Sequence, residues 1–153
     1  ISKIAEKGDP ERYPLPSPMI HSKDFNFSYS GLKTAVLYLL RDMNQKKPDA
    51  QTKADIAASF QKAALDVLIK KTIKAAGKYK VRLLLLSGGV SANKMLRERL
   101  QQEAAELGIN YSCPPMEYTT DNAAMIAVAG YFLCLKNKKT PKRGVVMDAN
   151  LGF

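Results

Sequence analysis

The chain has 153 residues, 46% of them hydrophobic, with 24 Lys and Arg set against 14 Asp and Glu. That length and apolar share suit one packed domain rather than a disordered chain, and no apolar run is long enough to cross a bilayer as a helix. The formal charge of +10 favours an anionic partner, nucleic acid first, with a merely soluble basic surface as the plain alternative.

In chain order, ISKIAEKGDP reads as the tail of a helix that stops near Gly8, as though the chain starts part-way through a longer protein. Residues 9–24 hold four prolines and predict an extended connector, in which the single histidine, His21, is a surface residue. FNFSY, Phe25 to Tyr29, alternates aromatic and small polar residues and predicts a short half-buried strand. Ser30 and Gly31 open a helix carrying Leu32, Val36, Leu39, Leu40 and Met43, with a break at Pro48. The Thr52-to-Asp55 spacing predicts the cap of a long helix. Ile56, Phe60, Ala63, Ala64, Val67 and Leu68 would form its one apolar face, and it would stop near Gly77.

VRLLLL, Val81 to Leu86, predicts a strand buried on both faces, as in a parallel sheet. A helix over Ala92–Leu107 follows, with Met95, Leu96, Leu100, Ala104 and Leu107 inward and Gly108 as its stop. Ile109 to Ser112 suits a second strand. A last helix starts at Thr120 or Asp121 and runs to about Leu135, rich in small residues (Ala123, Ala124, Ala127, Ala129 and Gly130). Helices alternating with strands make the fold class α/β. Cys113 and Cys134 are far apart and form no CxxC, which predicts free thiols of a reducing compartment. The densest basic stretch is Lys136, Lys138, Lys139, Lys142 and Arg143, which as a solvated loop would need no partner.

Three places could carry chemistry. A strand ending in Ser87-Gly88-Gly89 ahead of a helix brings backbone N–H groups to an anion at the positive end of the helix dipole. Asn93 would lie in the first helical turn, its amide free to meet a sugar or base. The turn has neither the Lys-Ser/Thr pair of a P-loop nor GxGxxG spacing, so a plain tight turn stays open. Asp121, at the mouth of the last helix, is either an ordinary N-cap or a metal ligand aimed into the crevice of an α/β sheet. Lys33 in SYSGLKTA could approach an anion or simply face water.

Taken together, FSYSGLKTAV (27–36), DIAASFQ (55–61), LSGGVSANKMLRERL (86–100), TDNAAMIAVAGY (120–131) and the closing MDANLGF resemble the tRNA threonylcarbamoyladenosine transferase family, once described as O-sialoglycoprotein endopeptidases. The resemblance runs in the family's order from Lys3 onward. It implies the C-terminal lobe of an actin-like, RNase H-like (ASKHA) α/β fold over residues 25–153, with residues 1–24 as the connector from an N-terminal half. It also implies transfer of a threonylcarbamoyl group from threonylcarbamoyl-AMP to the exocyclic amine of the adenosine beside the tRNA anticodon. Asn93, Gly88 and Gly89 would meet the adenylate donor, and Asp121 would be a ligand of one divalent metal, iron or zinc.

Two further metal ligands, histidines of an HxxxH motif, belong to the family's N-terminal half and have no counterpart here. The chain alone would therefore be inactive. Thr119 stands where the family leads one to expect Cys. Other partners implied are tRNA, a catalytically silent paralogous subunit and an ATPase subunit, in the cytoplasm and away from membranes. No Ser-His-Asp or Cys-His set supports a peptidase. A non-catalytic nucleotide- or tRNA-binding scaffold is the alternative, and a sugar kinase or other ATPase on the same fold is weaker because the likeness extends well beyond the glycine turn.

Overall fold

The computed structural model describes residues 1–43 and 48–137. Pro48, the expected break, lies between the helices that end at Asp42 and start at Ala50, while residues 44–47, the basic residues from Lys138 to Arg143 and the closing MDANLGF lie outside the described residues. Residues Ile1–Thr119 form one compact unit and the chain from Thr120 onward a second.

The first unit is built around a 30-residue helix. Its elements are α1 (Ser2–Ala5), α2 (Ser30–Asp42), α3 (Ala50–Tyr79), β1 (Leu83–Leu85), a 3-10 turn (Gly89–Ala92), α4 (Lys94–Glu106), β2 (Asn110–Ser112) and a second 3-10 turn (Met116–Tyr118). β1 and β2 pair in parallel, Leu83 with Asn110, Leu84 with Tyr111 and Leu85 with Ser112. A parallel pair needs a crossover, and α4 supplies it. The described residues thus make a mixed helical unit with a small parallel sheet, an α/β arrangement.

α3 starts earlier than the Thr52-to-Asp55 spacing predicts. The cap is Asp49, whose carboxylate accepts from Thr52 N at 2.7 Å. That bond holds the Asp49 carboxyl below the ordinary carboxylate range. The helix also runs past Gly77 and ends when Lys80 turns left-handed at φ 50°, with Val81 N donating back to Ala76 O at 3.2 Å.

The largest correction concerns its faces. One apolar face was expected, yet from Gln61 to Lys71 every second residue is buried. In a helix of 3.6 residues per turn, such alternation means that two opposite sides are covered. Leu65 and Ile69 face Leu96 and Leu100 of α4, with Leu68, Ile73, Leu84, Leu86, Met95 and Tyr111 packed around them.

The other side is covered by the proline-rich segment. Asp9 N donates to Asp55 Oδ1 at 2.9 Å, Tyr13 N to Ser59 Oγ at 3.2 Å, and Ser17 Oγ to Ala63 O at 3.3 Å. Each step is four residues on both partners, so the extended strap climbs one helical turn per contact. Gly8 lets it start this close, since a Cβ there would lie 2.0 Å from Ala54 O. At the far end Lys71, 3% exposed, donates to Ser22 O at 3.1 Å, to Ser22 Oγ and to Asp24 O at 2.8 Å, and pairs with Asp24 Oδ1 at 3.5 Å. Hydrogen bonds from Ser22 and Asn26, then Lys71, hold the Asp24 carboxyl below its ordinary range.

Two strand expectations change. FNFSY is not a strand: Phe25 tilts against Tyr79 and Phe27 against Tyr29, with ring centroids 5.8 and 5.5 Å apart. A strand exists only through its ladder partner, and among the described residues none pairs with this segment. VRLLLL yields three strand residues rather than six, and they are not buried on both faces: Leu83 and Leu85 are 49% and 69% exposed, and Leu84 faces the core. On α4, Leu96, Leu100 and Ala104 are buried as expected, whereas Leu107 is exposed.

The second unit contains α5 (Ala123–Asn137). Its cap is Asn122, whose Oδ1 accepts from Met125 N at 2.9 Å, so neither Thr120 nor Asp121 plays that part. Its small residues sit among exposed large ones from Met125 to Leu135.

The glycine turn as candidate functional site

At the C-terminal end of β1 the chain enters Ser87-Gly88-Gly89. Gly88 has φ 84° and ψ 172°, a conformation that a side chain would strain. Around both glycines a built Cβ would meet nothing within 4 Å, so the backbone faces open space. Gly88 O accepts from Ser91 N and Val90 O from Asn93 N, each at 2.9 Å, which closes the short 3-10 turn. Ser91 is fully buried there, and its Oγ has no hydrogen-bond partner among the described residues.

Asn93 is the cap of α4 and stands just before its first turn, a correction to its expected place within that turn. Its Oδ1 accepts from Leu96 N at 3.0 Å, while its Nδ2 donates to Gln61 Oε1 at 2.9 Å and to Ser2 Oγ at 3.2 Å. One amide therefore ties the turn to α3 and α1. Both of its N–H donors are occupied, so a ligand meeting this side chain would find the remaining acceptor capacity of Oδ1 or would displace Gln61 or Ser2. Gln61 is itself buried and reaches Met95 Sδ at 3.7 Å.

Two contributors escaped sequence reasoning. Gln61 is one of many polar residues along an amphipathic helix, and a buried glutamine has no spacing of its own. Arg97 looks like one more surface cation in NKMLRERL, yet its guanidinium turns back under the turn. Nε donates to Ser91 O, Nη2 to Pro114 O at 2.7 Å, and Nη1 contacts Cys113 Sγ at 3.3 Å. The available signal was its position four residues after the capping Asn93, which places both on one side of α4.

Beside this cluster, burial pushes the Tyr111 phenol up to about 12, with the Cys113 thiol adding to the rise. The Tyr111 hydroxyl is buried and has no partner of hydrogen-bonding geometry among the described residues. Cys113 and Cys134 are both free thiols.

Asp121 belongs to the second unit, exposed, one residue ahead of the capping Asn122. Asn122 Nδ2 also donates to Thr120 O at 2.9 Å, which makes TDN a local turn. Lys33 is exposed on the first turn of α2. Among the described residues no three His, Cys, Asp or Glu side chains gather as a metal site, and no helix is long and apolar enough to cross a membrane.

The geometry so far is an open, glycine-led turn at the C-terminal edge of a parallel sheet, braced by Asn93, Gln61 and Arg97. Comparison with known proteins adds the family. The family model described as tRNA N6-adenosine threonylcarbamoyltransferase matches residues 1–128. Relatives carrying that name include one from Thermosipho africanus, 46% identical over 151 residues, covering 99% of this chain and 43% of the relative. Another, from Thermosipho melanesiensis, is 50% identical over 133 residues, covering 87% and 39%. A third, from Nitrosomonas eutropha, is 44% identical over 142 residues, covering 92% and 41%. The chain spans about two fifths of the length of the curated relatives it matches. With a match over so much of its own length, the chain belongs to the tRNA N6-adenosine threonylcarbamoyltransferase family.

Proposed function

We propose that this chain is the C-terminal ASKHA-type lobe of a transferase that moves a threonylcarbamoyl group from threonylcarbamoyl-AMP to the exocyclic amine of the adenosine next to the tRNA anticodon. The observation that carries this reading is 46% identity to a relative of that name over 99% of the chain. The open turn supports it. The Gly88-Gly89 backbone faces open space with no side chain of its own, at the start of the turn that leads into α4, which leaves room for a phosphate to approach closely. Asn93 would meet the donor through Oδ1, held in place by Gln61 and Ser2.

Asp121 would supply one oxygen ligand to a divalent metal, iron or zinc. The described residues do not by themselves fit such an ion, since a single carboxylate leaves most of a coordination shell unfilled. The two other protein ligands would be histidines of the family's N-terminal part. In the proposed transfer the donor is a mixed anhydride and already activated, so holding its adenylyl end against the turn contributes by positioning. The amine nitrogen bonds to the carbonyl carbon, the bond from that carbon to the phosphate oxygen breaks, AMP leaves, and the amine's proton is released.

In this reading the chain is inactive by itself, works in the cytoplasm, and assembles with tRNA, a catalytically silent paralogous subunit and an ATPase subunit. The test is to add the polypeptide that completes the family's length, with threonylcarbamoyl-AMP and tRNA, and to look for the modified adenosine by mass spectrometry. Modification only in the completed mixture is the expected result. A complex that forms and binds AMP and tRNA but leaves the adenosine unmodified would point to a scaffold instead.

A further inference from the structure

We propose that Arg97 is a positioning residue for the glycine turn: its guanidinium clamps Ser91 O to Pro114 O and Cys113 Sγ, and its charge supports an anion on the Gly88-Gly89 backbone. This rests on the reading of the turn as the donor-holding site. Three observations carry it. The first is the fork itself, in which one planar group holds the loop after β1 and the loop after β2 at a fixed separation. These two loops leave the same edge of the parallel sheet, and no backbone hydrogen bond among the described residues links residues 87–92 to 113–118. The clamp is thus the described polar link between them.

The second observation is what the fork holds. Arg97 holds Ser91 O while Ser91 N closes the turn on Gly88 O, so fixing this one residue from both of its peptides restrains the glycines that precede it. Ser91 is buried with an unpartnered Oγ, so its own side chain does not hold the turn. The third is charge. Among the described residues no carboxylate lies within ion-pair distance of Arg97, whereas Arg99, two residues on, is spent on Asp66 at 2.6 Å. Arg97 makes its contacts to two carbonyls and a thiol, which leaves a full positive charge beside the turn, where a phosphate would meet it. Only arginine does both. Lysine would keep the charge but cannot donate in three fixed directions from one plane.

The experiment uses the 153-residue chain and three variants, Arg97→Lys, Arg97→Met and Leu100→Ala. The last lies in the core one turn along α4 and controls for a merely structural effect. Two quantities are read: AMP affinity by calorimetry, and amide exchange and relaxation of residues 88–93 by nuclear magnetic resonance. Arg97→Met is expected to weaken AMP binding about tenfold and to loosen residues 88–91, and Arg97→Lys to loosen the turn while losing only about threefold. Leu100→Ala is expected to lower the unfolding midpoint more than either, yet leave both readouts at the turn near wild type.

Failure of the clamp and failure of the donor-site reading separate cleanly. If wild-type chain binds no AMP but residues 88–91 loosen only in the Arg97 variants, the clamp stands and that reading loses its support in this chain. If the Arg97 variants leave the turn as ordered as wild type, or Leu100→Ala loosens it equally, the clamp is overturned whatever AMP does.

Discussion

α3 and α5 are both continuous helices, yet they handle apolar surface in opposite ways. α3 carries Asp55, Ser59, Gln61 and Lys71 among its buried residues and is still covered on two sides. α5 has no charged residue before Lys136, and its large side chains from Met125 to Leu135 are exposed. Hydrophobic content therefore does not tell which helix is the centre of a unit. What decides is whether neighbouring segments reach the helix with the right pairing groups. α3 has a strap that meets it every four residues and a βαβ unit on the opposite side. A helix apolar all round, like α5, is one whose sequence suits burial within a larger assembly.

The sharpest way to break this contrast is to make one substitution twice. Ile69→Ala in α3 removes a side chain that is 1% exposed, so unfolding free energy should fall by about 2–4 kcal/mol in a urea titration. Ile126→Ala in α5 should change it by less than about 0.5 kcal/mol. Equal losses would mean that α5 is packed in solution and the contrast is false.

The next effect concerns the strap. Lys71→Met keeps the apolar stem but removes the buried donor to Ser22 Oγ and Asp24 O, leaving Lys74 Nζ on Ser22 O and Lys23 O, at a cost of about 2 kcal/mol. Release of residues 9–24 should then appear as faster proteolysis ahead of global unfolding. Unchanged protection would show that the contacts of Asp9, Tyr13 and Ser17, with Lys74, hold the strap without Lys71.

Caps give a smaller version of the same test. Asn93→Ala should cost about 1 kcal/mol and be felt by the whole first unit, because that amide also joins α3 and α1. Asn122→Ala should only fray the start of α5, seen as a small loss of helical circular dichroism with the urea midpoint of the first unit unmoved. A shifted midpoint would show that this cap, like Asn93, bears on the stability of the first unit.

The smallest effect is one of pH. The Tyr111 phenol is raised from 10.0 to about 12 in the folded chain, so the folded state keeps a proton that the unfolded state loses. Its contribution is fully present below pH 10 and is lost as pH climbs towards about 12. Stability should fall more steeply over that window in wild type than in Tyr111→Phe, read from urea midpoints at stepped pH. At neutral pH the same change should be neutral or slightly stabilising, because it removes a buried hydroxyl without a partner. Parallel slopes would place Tyr111 in contact with water.

Local signals in the sequence located much of this chain. The positive φ at Gly88 and Gly108, the run of helices and the α4 residues Leu96, Leu100 and Ala104 follow from glycine's freedom and from helical period, properties a few neighbouring residues fix among themselves. The motifs from Phe27 to Tyr131 likewise point to the family by themselves. Only the tertiary structure decided that FNFSY is no strand, that Asp49 rather than Thr52 caps α3, that the proline segment is a strap, and that Arg97 and Gln61 brace the turn. Each of those depends on a partner tens of residues away or on competition between neighbouring caps. A ladder, a buried amide or a guanidinium fork has no energy until both ends are brought together.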